Sequence, residues 1–69
     1  MKNIEVSSRI IQSVYFSQKD GKLRICFKNG DERHFTGVPE KEAIAMCEAP
    51  SPGQHYIDNI RTRFRRLAA

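Results

Sequence analysis

The sequence predicts an α+β fold, a three-stranded antiparallel sheet followed by two C-terminal helices packed on one face of it (β-β-β-α-α). Three observations carry this expectation. The first half of the chain is rich in β-branched and aromatic residues, many of them in alternation. Glycine-containing turns separate those runs. Past Gly37 the apolar spacing changes from two residues to about 3.6, the period of a helix.

The first strand is expected over residues 9–17, where Ile10, Ile11, Val14, Tyr15 and Phe16 cluster. Val14 and Phe16 share one face and Tyr15 takes the other. The adjacent Ile10 and Ile11 break the alternation as a bulge would. Ile4 and Val6 lead into this strand from a loosely held start. Gln18-Lys19-Asp20-Gly21 turns the chain. Residues 22–28 then alternate, with Leu23, Ile25 and Phe27 inward and Arg24, Cys26 and Lys28 outward. Asn29-Gly30 marks a hairpin. A two-residue loop would put Phe35 on the face of Arg24. A three-residue loop over Lys28-Asn29-Gly30 puts it beside Leu23, so hydrophobic matching selects that register. Arg33 then shares the apolar face near its edge. Residues 31–36 form the third strand, and Gly37 ends it.

The first helix is expected over residues 39–48. Pro39 suits the first helical position, and Glu40 and Glu42 complement the positive end of the helix dipole. Ala43, Ile44, Met46 and Cys47 give it a buried side, and it stops before Ala49-Pro50. Ser51 is placed to cap a second helix over residues 52–66, with Pro52 at its first position. Tyr56, Ile57, Ile60, Phe64 and Leu67 fall within a sector of about 100° on that helix. Ile25, Phe27, Ile44, Ile60 and Phe64 are expected to be the most buried residues.

Size and composition narrow the function. At 69 residues and 8.0 kDa there is room for one domain, residues 1–69. A single core of this size supplies ~3–5 kcal/mol, too little to support a deep enzyme cleft. With 39% hydrophobic and 29% charged residues the chain reads as globular rather than disordered. The longest apolar run, Ala43–Cys47, is too short for a membrane span, and Met1-Lys2-Asn3-Ile4-Glu5 has no apolar stretch of the secretory kind. A cytoplasmic location without membrane contact is the expectation. Cys26 and Cys47 read as two reduced thiols in different elements. Together with His34 and His55 they lack the close spacing of a zinc site. No local motif joins a nucleophile, a base and an orienting acid. Neither metal, cofactor nor enzymatic activity is expected.

The charge is uneven. The net charge is +4, and residues 55–69 hold Arg61, Arg63, Arg65 and Arg66 against Asp58 alone. On a helix, Arg61 and Arg65 lie one turn apart on one flank of the apolar stripe. Arg63 borders the other flank, with Arg66, His55 and Asn59 beyond. Such a cluster is either a solvated cationic end favoured by the dipole or a clamp for phosphate. Ser51 and Gly53, at the start of the second helix, are a further candidate for an anion, or an ordinary cap. Tyr15, pointing away from the core, is the aromatic best placed to stack on a base, with His55 and Phe35 lesser candidates. Arg33, at the edge of the apolar face, completes the candidate nucleic-acid and anion-binding set.

Several segments resemble the KTSC domain, a short module found at the C-terminus of some lysyl-tRNA synthetases and as a free-standing bacterial protein. Val6-Ser7-Ser8 and Ile11 match its opening, Phe27-Lys28 and Gly30 its hairpin, and Gly37-Val38-Pro39 its helix entry. Ala49-Pro50-Ser51, Gly53, Ile60-Arg61 and Arg63-Phe64 match its C-terminal signature, the most specific part. The chain departs from the family at Arg33-His34-Phe35, where a Tyr-x-Tyr motif is usual, and at His55-Tyr56-Ile57, where Tyr-Phe-Asn is usual. The resemblance implies RNA binding by analogy with the synthetases. The leading expectation is a non-enzymatic module that binds RNA or another nucleic acid through the C-terminal arginines. The alternative is a protein-interaction module or inhibitor, of the kind encoded by phages and mobile elements. That module would dock on an acidic partner surface.

Overall fold

The computed structural model describes residues 1–67. It is an α+β fold with an antiparallel sheet and two helices, but the sheet has five strands rather than three. They are β1 (Lys2–Ile4), β2 (Ile11–Ser17), β3 (Lys22–Phe27), β4 (Glu32–Thr36) and β5 (Arg65–Leu67). Each pairs antiparallel with the next, in spatial order β1-β2-β3-β4-β5. Helix α1 (Glu40–Glu48) and the short α2 (Pro52–His55), extended by a π-helical turn at Tyr56–Ile60, lie between β4 and β5 in the chain.

The central hairpin follows its expected register. Leu23 faces Phe35 and Ile25 faces Arg33. The loop closes with the Phe27 N–H donating to the Asp31 carbonyl at 2.8 Å and the Gly30 N–H to the Phe27 carbonyl at 3.0 Å. Gly30 has φ +97°, which L side chains rarely adopt, so glycine is required there. The register shift in β2 falls between Ile11 and Ser13, one residue beyond the doubled isoleucine.

The two additional strands are the edges. Ile4, expected only to lead into the first strand, sits in β1 opposite Val14. β5 replaces the end of the expected second helix over 52–66. The Arg61 N–H donates to the Tyr56 carbonyl at 2.8 Å, an i→i+5 bond that widens the last turn. That turn carries an extra residue, so the apolar stripe loses its phase after Ile60. The chain leaves the helix through exposed Arg61, Thr62 and Arg63. Residues 65–67 then satisfy the backbone edge of β4, pairing Arg66 with Phe35 and Leu67 with His34. Strand pairing along an open edge outweighs the helical periodicity of Phe64 and Leu67.

The core lies between the helices and one sheet face. Val14, Leu23, Ile25, Phe35, Ala43, Met46 and Ile60 are fully buried, with Ile11, Phe16, Val38, Cys47 and Tyr56 nearly so. Ile25 and Ile60 meet the burial expectation. Phe27, Ile44 and Phe64 do not, being only half-buried. Phe27 ends β3 and packs on Tyr56 at the margin of the core, and α1 turns Ala43 rather than Ile44 into the core.

Candidate nucleic-acid interface

Three arginines from three elements meet at one end of the helix-covered face. Strand alternation puts Arg33 on the same face as Phe35, two residues further along β4. Arg66, directly across from Phe35 on β5, takes that face too. Arg61 follows Ile60 as the chain leaves the π turn. With Ile10, Phe27, Asn29, Asp31, Tyr56 and Ile57 these three line a groove of about 340 Å³.

Its floor is aromatic and held from below. The Phe27 and Tyr56 rings meet edge to face with centroids 5.4 Å apart, and Phe35 meets Tyr56 at 5.9 Å. The hairpin tip supplies a polar rim. The Asn29 amide Nδ2 donates to Asp31 Oδ2 at 3.2 Å, and the Asp31 N–H donates to Asn29 Oδ1 at 3.0 Å. Arg33 is fixed on this rim, donating to the Glu32 carbonyl at 2.9 Å and lying 3.7 Å from Asp31 Oδ2. Among the described residues no carboxylate pairs with Arg61 or Arg66. Three guanidinium groups therefore face one carboxylate over an apolar floor, an arrangement suited to an anion carrying a flat or apolar part.

The remaining candidate residues lie elsewhere. The expected helical wheel for the arginines does not exist, because Arg63 is in the turn and Arg65 in a strand. Arg63 turns to α1, with Nη1 3.5 Å from Glu42 Oε2, and covers the Phe64 ring at 5.3 Å. Arg65, opposite Thr36, points to the face away from the helices. Tyr15 is also on that far face, with the Arg24 guanidinium 4.9 Å over its ring. Arg24 and His34 there share Glu32 Oε1, at 3.6 and 3.4 Å. His55 is half-buried on α2, outside the groove lining.

Ser51 sits at the N-cap of α2 but makes no side-chain cap bond. Gly53 is buried, and a Cβ there would lie 2.8 Å from Ile10 Cγ1. Its missing side chain is taken up by packing against Ile10, not by an approaching ligand. Both line a second hollow with Ser8, Arg9, Ile10 and Lys28. Sequence reasoning missed Ile10, Asn29, Asp31 and Ile57 of the groove lining, and also Phe27 and Tyr56, which periodicity assigns to the core. The signal for Phe27 was its place at the end of its strand, beside the hairpin loop.

Cys47 is buried in the core. Burial, then the neighbouring Glu48, pushes the Cys47 thiol up to about 11. Among the described residues no three His, Cys, Asp or Glu side chains gather to hold a metal ion. No helix among them is long and apolar enough to cross a membrane.

The KTSC domain family model matches residues 7–64. A crystal structure of a KTSC domain protein from Yersinia pestis aligns with a TM-score of 0.84 at 25% sequence identity, covering 99% of this chain and 96% of that one. No curated protein matches the sequence.

Proposed function

This chain belongs to the KTSC domain family, and we propose that it is a non-enzymatic module that binds RNA or a related nucleic acid in the groove of Arg33, Arg61 and Arg66. The observation that carries the reading is the convergence of those guanidinium groups, from three separate elements, over the Phe27–Tyr56 floor. Fork-shaped guanidinium groups suit phosphate oxygens, and an apolar floor suits the rest of a nucleotide. Phosphate contacts set position rather than sequence, so binding is expected to depend strongly on salt and weakly on base composition. A cytoplasmic setting fits this reading.

The five-stranded sheet divides the C-terminal arginines into two pairs, and that division supplies the test. Arg61 and Arg66 line the groove, whereas Arg63 and Arg65 do not. Titrating single-stranded RNA at low salt, R61A/R66A is expected to lose affinity, and R63A/R65A to retain most of it. Equal losses in the two variants would reduce the effect to net charge alone. Absence of wild-type binding to any RNA or DNA at low salt would end the nucleic-acid reading and favour docking on an acidic protein surface.

A further inference from the structure

A second cation pair lies beside the groove, across an exposed isoleucine. The Lys28 N–H donates to the Ile10 carbonyl at 2.8 Å, which holds the start of β2 against the hairpin tip. Arg9 and Lys28 thereby line one hollow of about 510 Å³ with Ile10, Phe27 and Asn29. They also share the hollow of about 570 Å³ that reaches Ser51 and Gly53. No acidic residue lines either hollow. Among the described residues neither Arg9 nor Lys28 is paired with a carboxylate. Ile10, Phe27 and Asn29 border the arginine groove as well, so the two basic sites are continuous.

The surface between them is apolar. Ile10 is 47% exposed although its Cγ1 and Cδ1 atoms pack over Gly53. Apart from Met1 it is the only exposed large hydrophobic residue among those described. An exposed apolar ridge between two cation clusters is poorly matched to a duplex, which hides its base faces and would lay phosphates over the isoleucine. It is well matched to an unpaired strand, whose base covers the ridge while the flanking phosphates reach the cations.

We propose that Arg9 and Lys28 form a second phosphate subsite, and that the ligand is a single strand crossing Ile10 between this subsite and the arginine groove. The inference rests on the nucleic-acid reading above and names the strandedness and extent of that ligand. The side chains of Arg9, Lys28, Arg61 and Arg66 are all exposed, so removing them leaves the core intact.

The test is fluorescence anisotropy with labelled oligouridylate of about ten nucleotides, and with an RNA duplex of equal length, over a salt series. R9A/K28A and R61A/R66A are each compared with the wild type. The expected result is a preference for the single strand of about tenfold or more. Each double variant is expected to lower the slope of log affinity against log salt by about 1.4, two phosphate contacts at ~0.7 each. Wild-type affinity and slope in R9A/K28A, with loss in R61A/R66A, would overturn the second subsite and leave the groove standing. Duplex binding as tight as single-strand binding would overturn the strandedness. Unchanged binding in both variants would overturn the groove reading and this inference with it.

Discussion

Replacing Phe35 and Phe64 separately with alanine distinguishes the five-stranded arrangement from a sheet backed by one long second helix. Phe35 is fully buried, faces Leu23 across the sheet and supports the Tyr56 ring from 5.9 Å. Its truncation leaves a cavity in the middle of the core and is expected to cost about 3–5 kcal/mol. A single core of this size supplies only ~3–5 kcal/mol in all. Phe35→Ala should therefore be largely unfolded at room temperature. Phe64 lies past the π turn, half-buried beneath the Arg63 guanidinium. Full burial of a phenylalanine contributes ~1.5–3 kcal/mol, so half-burial puts Phe64→Ala near ~1 kcal/mol. For a domain of this length that corresponds to a melting shift of roughly 4–8 °C. Thermal unfolding followed by far-UV circular dichroism reads both variants. A Phe64→Ala loss equal to or greater than that of Phe35→Ala would instead place Phe64 in the core on a continuous helix.

Other substitutions test the remaining links. Gly30→Ala meets no atom within 4 Å but must adopt φ +97°. It should destabilise by about 1–2 kcal/mol through backbone strain alone, as urea unfolding would show. Cys47 is raised by burial from its ordinary 9.0 to about 11. The unfolded chain therefore loses this proton first, and folding stability should fall as pH rises from 9.0 towards about 11. Cys47→Ala should remove that part of the decline in paired unfolding curves, and an unchanged pH slope would show that the buried thiol does not cause it.

The parts of the fold fixed by neighbours in sequence were the legible ones. The hairpin register followed from matching Phe35 to Leu23, and that register already placed Arg33 on the apolar face. The entry to α1 followed from Pro39 with Glu40 and Glu42, although the helix itself begins one residue later, at Glu40. The edges were not legible in the same way. Lys2-Asn3-Ile4 has little strand character of its own and is extended because β2 offers it an unpaired edge. Phe64 and Leu67 fit a helical stripe, and nothing local announces the i→i+5 bond that ends it at Ile60. The candidate site inherits this division. The arginine cluster was visible as charge, but its separation into groove and non-groove pairs depends on β5. Arg9 and Lys28 join it only because Ile10 and Lys28 are held together by a bond between distant segments.

The most direct measurement of the central claim is amide chemical-shift mapping of the isotopically labelled protein during titration with single-stranded RNA at low salt. Progressive shifts are expected at the hairpin tip from Phe27 to Arg33, at Tyr56 to Arg61 and at Arg66. The far sheet face of Tyr15, Arg24 and His34 should stay unperturbed. Shifts confined to that far face, or no shifts at all, would contradict that claim.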